Sequence, residues 1–97
     1  MWRKVIVSFR DHATEQIHRG AATPDLPAAI QTVALRKLQQ LDIARKLDDL
    51  RVPPGNRLEP LKGNRRGQYS IRINDKYRLC FVWADNGAEE VEIVDYH

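Results

Sequence analysis

The stretch that decides the fold is residues 69–93, YSIRINDKYRLCFVWADNGAEEVEI. Apolar and polar side chains alternate there in the manner of half-buried β-strands. The alternating runs are residues 69–73, 77–83 and 91–95. Turn-forming residues separate them, Asn74-Asp75 after the first run and Asp85-Asn86-Gly87 after the second. Because Asn-Gly favours the positive φ angles of a type I′ turn, the pattern predicts an antiparallel meander of three strands.

The run 77–83 also predicts which side chains share a face. Its large apolar residues recur at every second position and are expected to face a helical layer: Tyr77, Leu79, Phe81 and Trp83. Arg78 lies between two of them, so we expect it to project from the opposite, open face of the sheet. A cation placed there would be within reach of a ligand.

The N-terminal half has helical periodicity instead. Asp11 is a good N-cap for a short helix over residues 12–19, which Gly20 would end. Pro27 suits the first turn of a helix over residues 28–41, whose apolar positions are spaced by three or four: Ile30, Val33, Ala34, Leu38 and Leu41. Asp42 is expected to cap a further short helix, which Val52-Pro53-Pro54-Gly55-Asn56 would stop.

Two further short strands complete the expected sheet. In the opening segment, Val5, Val7 and Phe9 alternate with Lys4, Ile6 and Ser8, and a second short strand is expected near residues 57–61. A helical layer on one antiparallel sheet buries both apolar faces. The sequence therefore predicts one α+β domain over residues 1–97, with two or three N-terminal helices packed on a four- or five-stranded, mainly antiparallel sheet.

Composition bounds the class of protein. The chain has 97 residues, of which 42% are hydrophobic and 30% charged, as expected of one small soluble domain. No apolar run approaches the roughly 20 residues of a membrane span, and the opening segment lacks the apolar core of a secretory signal. The single cysteine, Cys80, forbids an internal disulfide and is expected to be a buried structural thiol. We expect a cytoplasmic protein with no membrane partner.

The charge is unevenly distributed along the chain. Residues 51–78 carry a net charge of +6, whereas residues 79–97 carry −5 and have no Lys or Arg. A basic block of this density favours a polyanion partner, most simply nucleic acid, although a solvated basic face has the same composition. His12, His18 and His97 are too scattered to form a metal site, and no Gly-rich phosphate loop is present. No metal or organic cofactor is expected.

The chain end adds groups that can move protons. Asp95-Tyr96-His97 directly follows the last alternating strand, and a packed chain end without chemistry is the alternative interpretation. RNA cleavage by the 2′-OH requires a group that takes its proton, a group that protonates the leaving 5′-oxygen, and cations that stabilise the charge on phosphorus. Lys62, Arg65, Arg66 and Arg78 could supply the cations.

Most of the chain resembles one family. Residues 57–81, RLEPLKGNRRGQYSIRINDKYRLCF, resemble the middle of HigB-type toxins, which belong to the RelE/ParE superfamily of bacterial toxin–antitoxin systems. Residues 91–97, VEIVDYH, match the Asp-Tyr-His ending of that family. The opening strand and the connector at residues 48–57 are similar as well, so the resemblance covers essentially the whole chain.

The resemblance implies a compact RelE-like fold and an mRNA interferase. Such a toxin inhibits translation by cutting translating mRNA in the ribosomal A site. The implied partners are the ribosome, the mRNA and a HigA-like antitoxin with a helix-turn-helix DNA-binding domain. Operator DNA would be reached only through the antitoxin.

The resemblance also carries active-site positions onto this sequence. Lys62 matches the lysine of the family's Leu-Lys-Gly motif, Arg78 its strand arginine, and the ending its catalytic trio: Asp95, Tyr96 and His97. Some HigB toxins have a histidine three residues before that lysine, where this chain has Glu59.

We therefore expect distinct roles for these groups. Arg78 and Lys62 would bind the scissile phosphate. His97 and Tyr96 would transfer protons, while Asp95 orients His97 or helps activate the 2′-OH. Glu59 would be an auxiliary base. The remaining basic residues of the block are expected to contact RNA: Arg57, Arg65, Arg66, Arg72 and Lys76.

Two other functions stay open on the sequence alone. ParE-like toxins share the fold and act by binding DNA gyrase, and a basic RNA-binding module would need no catalytic set. A pure binder has no need to keep Lys62, Arg78 and the Asp-Tyr-His ending together.

Overall fold

A computed structural model of the chain describes residues 6–95. Two helices come first, α1 (His12–His18) and α2 (Ala28–Ile43). Four strands follow: β1 (Glu59–Pro60), β2 (Gln68–Arg72), β3 (Tyr77–Ala84) and β4 (Gly87–Asp95). Short 3₁₀ turns lie between them, at Leu47–Arg51, Pro54–Asn56 and Gly63–Arg65. The strands form one antiparallel sheet in the order β1-β2-β3-β4, so the predicted α+β class is confirmed.

The pairing of β2 with β3 creates the face that packs on the helices. Ile71 lies opposite Leu79, and Tyr69 lies opposite Phe81. Ile71, Leu79 and Phe81 are completely buried, together with Leu38 and Leu41 of α2. Burial of each such side chain stabilises the fold by about 1.5–3 kcal/mol. The apolar set predicted for this strand therefore does face the helices, with Tyr77 and Trp83 partly buried at the rim of the core.

The helix boundaries largely follow the predicted caps. The Asp11 carboxylate accepts a hydrogen bond from the Thr14 backbone N–H at 3.0 Å, as an N-cap does. Gly20 follows α1 with a φ of +87°, which a residue with a side chain rarely adopts. Pro27 was expected in the first turn of α2 but is its N-cap, since the helix begins at Ala28.

The expectation that Asp42 caps a further helix was wrong. Asp42 lies inside α2, which continues to Ile43, and it is 5% exposed. Its carboxylate accepts a hydrogen bond from the Ile6 backbone N–H at 3.1 Å and lies 3.5 Å from His18 Nε2. The Asp42 carboxylate therefore binds the backbone N–H of Ile6, which is distant in sequence, instead of capping the helix that was predicted to follow it.

The opening segment docks along the outer edge of β4. Ile6 bridges Ala88 and Phe9 bridges Val91, both in parallel orientation. Ile6 and Phe9 pack against the core, whereas Val7 is 53% exposed. The predicted strict alternation was therefore wrong, because Ile6 and Phe9, which belong to opposite sets, both pack against the core. Val5 lies outside the described residues.

The β3–β4 hairpin is present, but its turn is not of the predicted type. Ala84 pairs with Gly87, so Asp85 and Asn86 form the two-residue connection. A type I′ turn requires positive φ at both central residues, and neither Asp85 nor Asn86 has it. Gly87 takes the positive φ instead, at +127°. The glycine thus follows the turn rather than forming part of it.

No helix within residues 6–95 is long and apolar enough to cross a membrane.

Replacing Asp42 tests the anchor of the opening segment. We expect Asp42→Ala to lower the free energy of unfolding by about 1–3 kcal/mol, because the Ile6 N–H and the His18 ring lose their buried acceptor. Urea unfolding measures the change. Asp25→Ala, which removes an exposed loop carboxylate, should stay within about 0.5 kcal/mol of the parent chain. Equal stability of the two variants would contradict the role of Asp42 in anchoring the opening segment.

Candidate functional site

The face of the sheet opposite the helices carries Ser70, Arg72, Arg78 and Cys80. Ser70 pairs with Cys80, and Arg72 pairs with Arg78 across β2 and β3. Sequence reasoning expected this face to be open, and at its centre that was wrong, since Ser70 and Cys80 are completely buried. The Arg65 side chain extends from the β1–β2 loop to Glu92 of β4, the strand partner of Cys80, and this ion pair measures 2.9 Å. The loop therefore reaches over the middle of the sheet.

Arg78 is held by several acceptors at the edge of this covered region. Its side chain is only 12% exposed. Nε donates to Ser70 Oγ at 2.7 Å, and Nη2 donates to the Arg57 carbonyl oxygen at 2.7 Å. Nη2 also lies 3.2 Å from Glu59 Oε1. Among residues 6–95, Nη1 has no hydrogen-bond or ion-pair partner.

A buried amide fixes the backbone from which that carbonyl projects. Asn56 is completely buried, and its Nδ2 donates to the Leu50 carbonyl oxygen and to Gln40 Oε1, both at 3.1 Å. Lys37 Nζ of α2 donates to Asn56 Oδ1. The next residue, Arg57, has a left-handed φ of +46°. The helical layer thus holds the loop whose carbonyl oxygen meets Arg78.

Lys37 is an unusual member of this network because it is 9% exposed and bonded to a neutral amide. Burial lowers its pKa below the usual 10.5, and the nearby Arg36 and Arg72 charges lower it further. The network that holds the Arg57 backbone therefore includes a buried cation.

Glu59 is the carboxylate nearest to the predicted phosphate-binding cation. It lies on β1 opposite Ser70, so it projects from the same face as Arg78. Its side chain is 58% exposed, and Oε1 faces Arg78 Nη2. This position permits a counter-ion role as well as the predicted role of a base.

The predicted RNA-binding cations divide into two groups. Lys62, Arg57 and Arg66 are exposed, and none has an ion-pair partner in the part of the chain that is described. The others are paired: Arg65 with Glu92, Arg72 with Asp75, and Lys76 with Asp95. Arg10 also approaches Glu92, at 3.6 Å. The acidic C-terminal residues therefore neutralise part of the basic block.

The structure does not place Asp95 beside Arg78. Asp95 pairs with Tyr77, and Val94 pairs with Arg78. Strand alternation therefore directs the Asp95 side chain to the face opposite Arg78, where its Oδ2 lies 3.6 Å from Lys76 Nζ. Tyr96 and His97, the other two members of the predicted trio, lie outside the described residues.

Cys80 lies beneath the charged cluster and is suited to packing rather than to chemistry. Burial raises the pKa of its thiol to about 11; the Glu92 charge raises it slightly further, whereas the Arg65 and Arg78 charges oppose the shift. Among residues 6–95, no group of three His, Cys, Asp or Glu side chains is placed to hold a metal ion.

Sequence reasoning missed three residues that shape the site. Ser70 holds Arg78, Asn56 holds the Arg57 backbone, and Glu92 holds Arg65. Ser70 carried a weak signal, because it is a small polar residue on the strand face predicted to carry Arg72. Asn56 was predicted only as part of a turn that stops a helix, and Glu92 only as a member of the last alternating strand, so neither could be assigned without the fold.

Alkylation tests the environment of Cys80. With a pKa near 11, the thiolate fraction at pH 8 is about one thousandth, so we expect iodoacetamide to leave the native chain unmodified. Because the Cys80 thiol stays protonated in the folded state, the rate of alkylation should stay low until the pH nears 11. The chain unfolded in guanidinium chloride is the control and should react within minutes, as mass spectrometry would measure. Equal rates for native and unfolded chain at pH 8 would contradict this burial.

Comparison with known proteins identifies the family. Residues 7–97 match the model of the HigB-like toxins, described as the RelE-like toxin of type II toxin–antitoxin system HigB. Toxin HigB-1 of Vibrio cholerae is 45% identical over 83 residues, covering 84% of this chain and 87% of the relative. Endoribonuclease HigB of Proteus vulgaris is 28% identical over 93 residues, covering 96% and 100%. With the α+β fold and the covered basic face, these matches place the chain in the HigB-like family of type II toxin–antitoxin toxins.

Proposed function

We propose that this chain is an endoribonuclease toxin that cuts translating mRNA in the ribosomal A site and thereby inhibits translation. The observation that carries the proposal is the Arg78 guanidinium, which neutral acceptors orient and whose Nη1 has no partner among residues 6–95. Membership of the HigB-like family supports it. The name of the Proteus vulgaris relative, Endoribonuclease HigB, refers to the same class of reaction.

Arg78 is suited to bind the scissile phosphate. A donor that is already oriented and mostly removed from water stabilises developing negative charge without reorganising. Lys62 lies on the neighbouring β1–β2 loop, is exposed, and has no ion-pair partner among residues 6–95. We propose that Arg78 donates from a fixed position while Lys62 closes on the phosphate from the loop.

The proposed reaction uses the 2′-OH of the RNA as nucleophile. A bond forms between O2′ and phosphorus while the bond from phosphorus to O5′ breaks. The 2′-OH proton passes to a base, and an acid protonates the leaving O5′. The products are a 2′,3′-cyclic phosphate and a 5′-OH, and no metal or organic cofactor takes part in this scheme.

We assign the proton transfers to Tyr96 and His97 at the chain end. Asp95 is the last described residue before them, and its pairing with Lys76 and Tyr77 ties the end of β4 to β3. We propose that Asp95 orients His97 from this anchored position, since its own side chain lies on the face opposite Arg78. The ribosome would hold the mRNA in the reactive geometry, which supplies much of the rate acceleration.

The exposed cations define a proposed path for the RNA. Arg57 and Arg66 are available for phosphate contacts in the structure as it stands. Arg65, Arg72 and Lys76 are paired with carboxylates and would contact RNA only by exchanging those partners. We therefore propose that the first group dominates the initial encounter.

The proposed partners follow from the family. A type II system implies an antitoxin, and we propose a HigA-like antitoxin with a helix-turn-helix domain that alone contacts operator DNA. Translating ribosomes as the target place the proposed activity in the cytoplasm.

Cleavage of a defined mRNA tests the proposed reaction. In a reconstituted translation reaction followed by primer extension, we expect the intact protein to cut only when ribosomes are present. Arg78→Ala should lower the cleavage rate about 10²–10³-fold, because the phosphorane loses a fixed donor. Deletion of His97 should also abolish the cuts.

The matched control is Arg19→Ala, which removes one positive charge from the end of α1 and should cut within twofold of the parent rate. Circular dichroism verifies that each variant is folded. Toxicity in cells without any mRNA cleavage would overturn the proposal and favour a binding mechanism such as gyrase inhibition. Cuts without ribosomes would retain the nuclease and overturn ribosome dependence.

The salt dependence of RNA binding tests whether the unpaired cations contribute more to that binding than the paired ones. A fluorescent 2′-O-methyl oligoribonucleotide cannot be cleaved, so its anisotropy reports binding alone. We expect Lys62→Ala to reduce the slope of log K against log salt by about 0.7, the loss of one phosphate contact on a single strand. Arg65→Ala should change the slope by less, because Glu92 already neutralises Arg65. The opposite order would contradict this division.

A further inference from the structure

The donors of Arg78 are not equally available to a phosphate. Its Nε is taken by Ser70 Oγ, which leaves the paired Nη1 and Nη2 as the edge for bidentate binding. Nη2 has three acceptors nearby: the Arg57 carbonyl oxygen at 2.7 Å, Glu59 Oε1 at 3.2 Å and the Ser70 carbonyl oxygen at 3.5 Å, and Glu59 is the charged one. A phosphodiester that uses both nitrogens therefore meets Glu59 at Nη2.

Glu59 is not needed to orient the guanidinium. The Oγ of the buried Ser70 and the Arg57 carbonyl oxygen, each at 2.7 Å, fix two of the three nitrogens. Glu59 approaches at the longer distance of 3.2 Å from β1, a two-residue strand at the edge of the sheet. Because its side chain is 58% exposed, the carboxylate can leave without breaking the neutral contacts.

We propose that Glu59 is an exchangeable counter-ion of Arg78 that the scissile phosphodiester displaces, and that it sets the affinity for RNA without moving a proton. Its oxygen contacts Nη2, one of the two nitrogens that a bidentate phosphate would use. After displacement, the carboxylate lies beside a bound anion and weakens its binding. The proposal rests on the proposed function, since it assumes that Arg78 binds the phosphate.

Glu59→Gln is the decisive variant, because it keeps the shape of the side chain and removes its charge. We expect a 2′-O-methyl oligoribonucleotide to bind about two- to fivefold more tightly, because the phosphate no longer competes with the carboxylate of an ion pair whose acidic partner is exposed. In ribosome-dependent cleavage, KM should fall by a similar factor while kcat keeps its pH dependence.

Asp48→Asn is the matched control. It also removes one carboxylate from an exposed ion pair, with Arg51, but in the 3₁₀ turn after α2 rather than beside Arg78. Its effect measures the general change in net charge. We expect less than a twofold change in affinity, so the difference between the two variants isolates the contact with Arg78.

A different result for Glu59→Gln would overturn the proposal. If Glu59 is a base, kcat should fall tenfold or more with loss of the acidic limb of the pH–rate profile, while oligoribonucleotide affinity stays unchanged. Absence of cleavage by the parent protein would instead overturn the proposed function. The anisotropy comparison would then decide the counter-ion proposal by itself, and equal affinities of the parent, Glu59→Gln and Asp48→Asn chains would reject it.

Discussion

The register of β2 against β3 is the constraint on which both faces of the sheet depend. With Ser70 opposite Cys80 and Ile71 opposite Leu79, one set of side chains enters the core and the other forms the charged face. A shift by one residue would exchange the two sets and place Arg78 in the apolar core. The same pairing brings the Ser70 hydroxyl to Arg78 Nε, so the packing of the fold and the geometry of the site are set together.

On this face, ion pairs decide which of the basic residues keep an unneutralised positive charge, and the number of basic residues does not. The basic block and the acidic C-terminal segment meet in space, because β4 lies next to β3 and the β1–β2 loop crosses to Glu92. Where such a pair is exposed, as the pair of Lys76 and Asp95 is, it contributes little to stability. Its larger effect is to decide which cations are available, and this leaves Lys62 without a partner among residues 6–95, close in sequence to the paired Arg65.

Local signals were sufficient for most of the fold and insufficient for the site. The Asp11 cap and the strand alternation act over a few residues, so the sequence predicted them correctly. Asp42 was misassigned because its partner, the Ile6 N–H, lies 36 residues away. Ser70 and Asn56 were missed for the same reason. Their role in the site consists of hydrogen bonds to other elements, which no periodicity reveals.

The network behind Arg78 also costs stability. Lys37 is buried beside a neutral amide, and its pKa is lowered from 10.5, so the folded state binds its proton less tightly than the unfolded state does. Between the lowered pKa and 10.5 the unfolded chain holds more protons, and the contribution of Lys37 to stability therefore rises with pH in that window. At a pH below that window, the full stability cost of burying the charged Lys37 is present. A buried methionine would avoid this cost but would leave Asn56 Oδ1 without its donor. The lysine thus maintains the loop whose carbonyl oxygen positions Arg78, and the fold gives up some stability for that geometry.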